Sequence, residues 1–158
     1  MNTDIQKLIG ETTTYDKKQM LEAKRPKSWL KSVSAFANGE GGMLIFGISD
    51  DDQIVGLADA KGDSERISEE IKSKLDPVPA VNLEQKEVDG KALVLLYVYP
   101  GQETPYYYIG DKQRIAFVRI GNESVTADRT QLKALVLKGS GRTYDSLPSN
   151  YRFEDMAF

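Results

Sequence analysis

The sequence predicts an α/β (α+β) domain, a mixed sheet of about six to seven strands with three main helices. Three observations lead there. The apolar run Met43-Leu44-Ile45-Phe46-Gly47-Ile48 follows the glycine cluster Gly39-Glu40-Gly41-Gly42, the pattern of a helix that ends in a tight turn and feeds a buried strand. Trp29, Leu30, Val33, Phe36 and Ala37 recur with helical period just before that turn. Asp89-Gly90 divides two strand-like stretches and is the strongest hairpin signal in the chain.

Taken in order, residues 4–10 read as a short helix closed by Gly10, and Lys18 to Ala23 as a strand. Pro26 suits a first helical position, so a helix runs from there to Asn38-Gly39. Strands follow at about 42–48 and 53–57. A helix near 62–75 carries Ile67, Ile71 and Leu75 on one side, and Asp76-Pro77 stops it. Strands at 81–88 and 91–99 flank the hairpin turn, with further strands at 105–109 and 114–119 and a last helix at 128–138. Beyond Lys138 the residues turn loop-like, and Phe153 to Phe158 resembles a helix beginning. The expected organisation is one domain over 1–138 and, over 139–158, a linker into a downstream domain of a longer protein.

At 158 residues and 40% hydrophobic, the chain suits a single core. It contains no cysteine and no histidine, which excludes disulfides, thiol nucleophiles, imidazole metal ligands and Ser-His-Asp chemistry. Catalysis would rest on carboxylates, lysines, hydroxyls or an oxygen-bound metal. The N-terminus has neither the basic start nor the apolar run of a signal peptide, and no stretch is long and apolar enough for a membrane span. A cytoplasmic location is therefore expected.

The net charge of −3 hides an uneven distribution. Lys17, Lys18, Lys24, Arg25, Lys27 and Lys31 fall in one short segment against Glu22 alone, and Arg129, Lys133, Lys138 and Arg142 fall in another with no acid. Two such segments on a shared face would attract phosphates while the acidic remainder faces solvent. Read alone, each is more readily a solvated helix face.

The motifs in order are Leu21-Glu22-Ala23-Lys24, Ser34-Ala35-Phe36-Ala37-Asn38-Gly39-Glu40-Gly41-Gly42, Gly47-Ile48-Ser49-Asp50-Asp51 and Ile54-Val55-Gly56-Leu57. Together they resemble the Schlafen AlbA-like domain, also called divergent AlbA, over about residues 11 to 138. Asn38, Gly41 and Gly42 form the structural turn of that pattern. The tail Gly141 to Pro148 also resembles the segment after this domain in longer bacterial proteins named as transcriptional regulators or as ATP-binding or helicase-related proteins. The resemblance implies an AlbA-like fold and a nucleic-acid-binding (DNA-binding) domain at the N-terminus of such a protein. Gly39-Glu40-Gly41-Gly42 is no P-loop, because it follows a helix and precedes a strand, so ATP binding belongs to a downstream domain.

In animal Schlafen proteins the resembling domain carries a three-acid ribonuclease site. Glu22 matches its second acid and Asp50 its third, with Asp51 one residue away. The first acid stands about five residues before the strand Glu in the family, where this chain has Lys17. Glu11, displaced by an apparent insertion of Thr12 to Lys17, is one candidate and Asp16 another. Such a set would hold Mg²⁺ or Mn²⁺ through Glu22 and Asp50 and activate a water, with Lys24 facing the phosphate. The same residues also read as a structural ion pair, Glu22 with Lys24, and an acidic turn, Asp50 to Asp52. Binding without catalysis is the preferred reading. Its partners are DNA or RNA, and its phosphate contacts are Lys17, Lys18, Lys24, Arg25, Lys27, Arg119 and Arg129. Arg119 either meets phosphate or pairs with an internal acid such as Glu22. Along Tyr106-Tyr107-Tyr108 the outer rings face one way and Tyr107 the other, for packing or for base stacking. A protein-interaction domain that forms a homodimer through exposed strand edges is the alternative.

Overall fold

The computed structural model describes residues 14–22 and 24–145. In chain order these form β1 (Tyr15–Lys18), α1 (Lys27–Asn38), β2 (Gly42–Phe46), α2 (Ala60–Lys74), β3 (Leu75–Asp76), β4 (Val81–Val88), β5 (Lys91–Val98), β6 (Tyr107–Tyr108), a 3₁₀ turn (Gly110–Lys112), β7 (Ile115–Ile120), β8 (Glu123–Thr126) and α3 (Arg129–Asp145). The α/β class holds, but the strands divide between two four-stranded sheets, ordered β1-β2-β5-β4 and β3-β6-β7-β8. In the first sheet β1 runs parallel to β2 and the remaining pairs are antiparallel. The second sheet is antiparallel throughout.

Helix α1 packs against both sheets and is buried almost all round, from Trp29 to Asn38 except at Lys31. Trp29 meets Phe46 edge-on at 5.8 Å, and Leu30, Val33, Phe36, Ile67, Ile71, Leu96, Tyr108 and Phe117 join the same core. On the other face of the first sheet Met43, Ile45, Leu93 and Leu95 form a second cluster with Ile48 and Ile54. Burial on both faces explains why β2 reads as an unbroken apolar run.

The Asn-Gly-Glu-Gly-Gly segment is more than a turn. The Asn38 side chain reaches out of α1, donating to the carbonyls of Tyr106 (3.1 Å) and Phe117 (2.8 Å) and accepting from the Tyr106 N–H (2.7 Å). Ser34, one turn earlier, donates to the Tyr106 carbonyl and accepts from the Phe117 N–H. Two small polar side chains thus fasten α1 to β7 and to the residue before β6. Gly41 takes φ +83°, and a Cβ there would stand 2.7 Å from the Val98 carbonyl oxygen. Gly41→Ala is expected to cost roughly 2 kcal/mol or more in urea unfolding, since it adds a backbone clash to a left-handed conformation.

Several expectations change in the folded chain. Residues 4–10 lie outside the described residues. The first strand is Tyr15–Lys18 rather than Lys18 to Ala23, because Tyr15 to Lys18 pair residue for residue with Met43 to Phe46. The strand expected at 53–57 reduces to one bridge, Ile48 with Ile54, since the Val55 and Gly56 N–H groups both bond the Gly47 carbonyl. The short strands β3 and β8 were not legible in the sequence. Helix α3 continues past 138 to Asp145. Gly139, which made the segment look loop-like, is where the helix lies on the Thr104 carbonyl, so close that a Cβ would come within 2.2 Å of its oxygen. Thr104 in turn donates to the Leu135 carbonyl at 2.6 Å. The hairpin at Asp89-Gly90 is as expected, with both residues at positive φ.

Candidate nucleic-acid interface

The basic segment of the sequence wraps the start of α1. Pro26 enters the helix in the α-region, no side chain caps the first turn, and no acid lies in it. Around this end is a hollow of about 480 Å³ lined by Lys24, Arg25, Pro26, Lys27, Ser28, Lys31, Lys74 and Asp111. Five cations face one carboxylate there. The positive end of the helix adds to their field.

Lys31 also lines a second hollow of about 230 Å³, which it shares with Asp16, Lys17, Lys18, Ser32, Arg119, Asn122, Glu123 and Ser124. The two hollows therefore adjoin through Lys31. Lys17, Lys18, Lys24, Arg25, Lys27 and Arg119, all predicted as phosphate contacts, come together around them. Arg129 does not; it is exposed in the first turn of α3 and lines neither hollow. Lys74, at the C-terminal end of α2, and Asp111 complete the site from distant sequence positions that periodicity alone does not mark.

These cations differ in their commitments. Lys27 bonds Gln113 at 2.9 Å and lies 5.7 Å from the centre of the Tyr108 ring. Lys18 donates to the Ser28 carbonyl at 3.2 Å. Lys17 is turned to the Ser49–Gln53 loop, where it pairs with Asp52 at 2.6 Å and bonds the Asp50 carbonyl; the Asp52 bond is the main cause of its raised pKa. Asp111 accepts from the Tyr108 hydroxyl at 2.9 Å, and burial together with that carboxylate pushes Tyr108 up to about 12. Tyr106 and Tyr108 turn inward, whereas Tyr107 is half-buried with the Arg114 guanidinium 4.2 Å from its ring centre.

Arg119 pairs with Asp16, not with Glu22. Its fork bonds both Asp16 oxygens and the Ser124 hydroxyl, while Ser32 also donates to Asp16. The side chains are only 11% and 19% exposed, and Arg119 lies against Phe36. Burial pushes the Asp16 carboxyl up, but the Arg119 and Ser32 bonds and the charges of Arg119 and Lys18 outweigh it and hold the pKa below 3.8. A depressed pKa contributes stability above the ordinary carboxylate range, and that stability is lost as pH falls through the lowered value. Asp16→Asn should therefore lower the melting temperature at pH 7, and the variant's stability should fall less than the parent's below about pH 4.

The other acids do not converge. Glu22 is exposed in the irregular segment between β1 and α1 and pairs with no cation, Lys24 included, among the described residues. Asp50 is exposed in the turn after β2, and Asp51 accepts from Ser49. No group of three acidic side chains able to hold a metal forms among the described residues, and Glu11 lies outside them. Asp16 and Lys18, not Glu22 and Lys24, alternate on the strand that pairs with β2.

The model of the family described as Schlafen, AlbA_2 matches residues 11–128. The chain belongs to the Schlafen AlbA_2 family. Among solved structures, this AlbA_2 chain is similar to the N-terminal domain of a protein from Nitrosomonas europaea named as related to the ATP-dependent DNA helicase RecG, with 26% identity, a TM-score of 0.54, and 76% of this chain and 86% of that one covered. It shares its fold with the DIP2311 protein from Corynebacterium diphtheriae at 23% identity and a TM-score of 0.58; 81% of this chain is covered but only 24% of that one. No curated protein matches the AlbA_2 chain. No described helix is long and apolar enough to cross a membrane.

Proposed function

We propose that this AlbA_2 domain binds nucleic acid through the two adjoining hollows at the start of α1, as the DNA-binding module of a larger bacterial-type regulator or helicase-related protein. The observation that carries the reading is the gathering of Lys24, Arg25, Lys27, Lys31 and Lys74 into one hollow of a chain whose net charge is −3. Cations from two distant segments, collected at an uncapped helix start, form a local positive field that an acidic protein otherwise lacks. Such a site grips phosphates and carries little base information, so affinity falls steeply with salt and sequence preference is weak. The RecG-related neighbour supports the same class of partner.

The test is fluorescence anisotropy of labelled duplex DNA and structured RNA, titrated with the protein in EDTA at about 50 and 200 mM salt. Saturable binding at the lower salt that weakens steeply at the higher is expected. Absence of binding to both polymers at the lower salt overturns the reading.

A further inference from the structure

Strand β4 lies at one end of its sheet, and among the described residues it pairs only with β5. It is eight residues long, has no proline, and keeps one-to-one register with β5 from Val81 to Val88 without a bulge. Long regular edges are templates for further strand pairing. The hydrogen bond from the Tyr99 N–H to the Ala80 carbonyl fixes the parity of the ladder. Ala80, and with it Asn82, Glu84, Lys86 and Val88, bond towards β5, so the N–H and C=O groups of Val81, Leu83, Gln85 and Glu87 point outward.

We infer that this edge pairs antiparallel with β4 of a second copy about a two-fold axis at Gln85. Only outward-pointing residues can exchange hydrogen bonds, so the available registers are a short series set two residues of offset apart. With Gln85 opposite Gln85, Leu83 bonds with Glu87 of the second copy. Glu84 then stands directly opposite Lys86 of the second copy, and Lys86 opposite its Glu84. Both fall at non-hydrogen-bonded positions, where cross-strand side chains lie closest. The neighbouring registers set Glu84 against Glu84 or Lys86 against Lys86, and like charges there repel. Within one chain Glu84 and Lys86 already stand side by side at 3.5 Å with much of both side chains exposed, so Lys86 can turn to the new partner, and Glu84, whose Oε1 accepts from the Tyr97 hydroxyl at 3.3 Å, can meet the new lysine through Oε2. The charge pattern thus selects a second copy of this chain and a single register. The assembly is a continuous eight-stranded sheet, β1-β2-β5-β4 followed by the same strands in reverse.

The absence of cysteine makes the test direct. Sedimentation equilibrium of the 158-residue protein from about 10 to 500 μM, a span suited to weak strand pairing, is expected to show a monomer–dimer equilibrium. Under mild oxidation Gln85→Cys should give a disulfide-linked dimer, since residues on the axis lie within bridging distance. Glu84→Cys alone should not. Glu84→Lys should weaken dimerisation at least tenfold, and the swap Glu84→Lys with Lys86→Glu should restore it. A monomer throughout the range overturns the proposal, as does a dimer indifferent to Glu84→Lys or a swap that fails to rescue.

Discussion

Asn38→Asp is expected to destabilise the domain severely, and more so as pH rises. The amide donates to two backbone carbonyls and accepts from one N–H inside a core where Asn38 is 4% exposed. A carboxylate keeps the shape and the acceptor but turns a second negative oxygen on those carbonyls. Desolvation and repulsion raise its folded-state pKa above the unfolded value, so the stability still present at low pH is lost as pH climbs through the folded value. Asn38→Ala leaves the Phe117 carbonyl and the Tyr106 N–H unpaired, while Ser34 still serves the Tyr106 carbonyl, and costs roughly 2–6 kcal/mol at about 1–3 kcal/mol for each group left orphaned. Urea unfolding at pH 5 and pH 8 distinguishes the two. The alanine variant should be equally weakened at both, whereas the aspartate variant should fare worse at pH 8. An aspartate variant with no such pH dependence would show that the side chain escapes the carbonyls.

Replacing Lys24, Arg25, Lys27 and Lys31 together by alanine should reduce nucleic-acid affinity by on the order of a hundredfold or more at moderate salt, and flatten the log–log salt dependence by roughly 3 to 4. Lys24 and Arg25 are exposed, while Lys27 and Lys31 are half-buried, and Lys27 carries only a surface bond to Gln113 and the ring contact with Tyr108. The melting temperature should consequently change little. Lys61 and Lys72, exposed on α2 and outside both hollows, supply the control pair. Their removal takes away the same kind of charge at another place and should change affinity only slightly. Equal loss in the control would mean that net charge, not the hollow, governs binding.

The hairpin, α1 and α2 were legible because each depends on local chemistry: a turn dipeptide that tolerates positive φ, and apolar residues at helical spacing. The basic segment was legible as charge. That it closes into a hollow with Lys74 and Asp111 was not, because α2 and the turn after β6 bring those residues in through tertiary packing. The first strand was misplaced for a definite reason. Leu21-Glu22-Ala23-Lys24 carries the acid-to-lysine alternation of the motif, but the strand belongs to Tyr15-Asp16-Lys17-Lys18, whose own polarity disguises a parallel edge strand. The bond between Asp16 and Arg119 spans 103 residues, which local patterning cannot reveal. Asn38 was legible as part of a turn, yet its hydrogen bonds reach across 68 and 79 residues into the second sheet.

Helix α1 carries the cations on its opening turns and the Ser34 and Asn38 fastenings on its closing ones, so one rigid rod joins the surface to the centre. Its inner residues are buried between both sheets, so their amide deuterium uptake is expected to report global opening. An anion held at the start of the rod favours the folded state by mass action, and that stabilisation cannot remain local. Bound nucleic acid should therefore slow exchange deep in β7 and around Tyr106, far from any phosphate, to the same extent as in α1 itself.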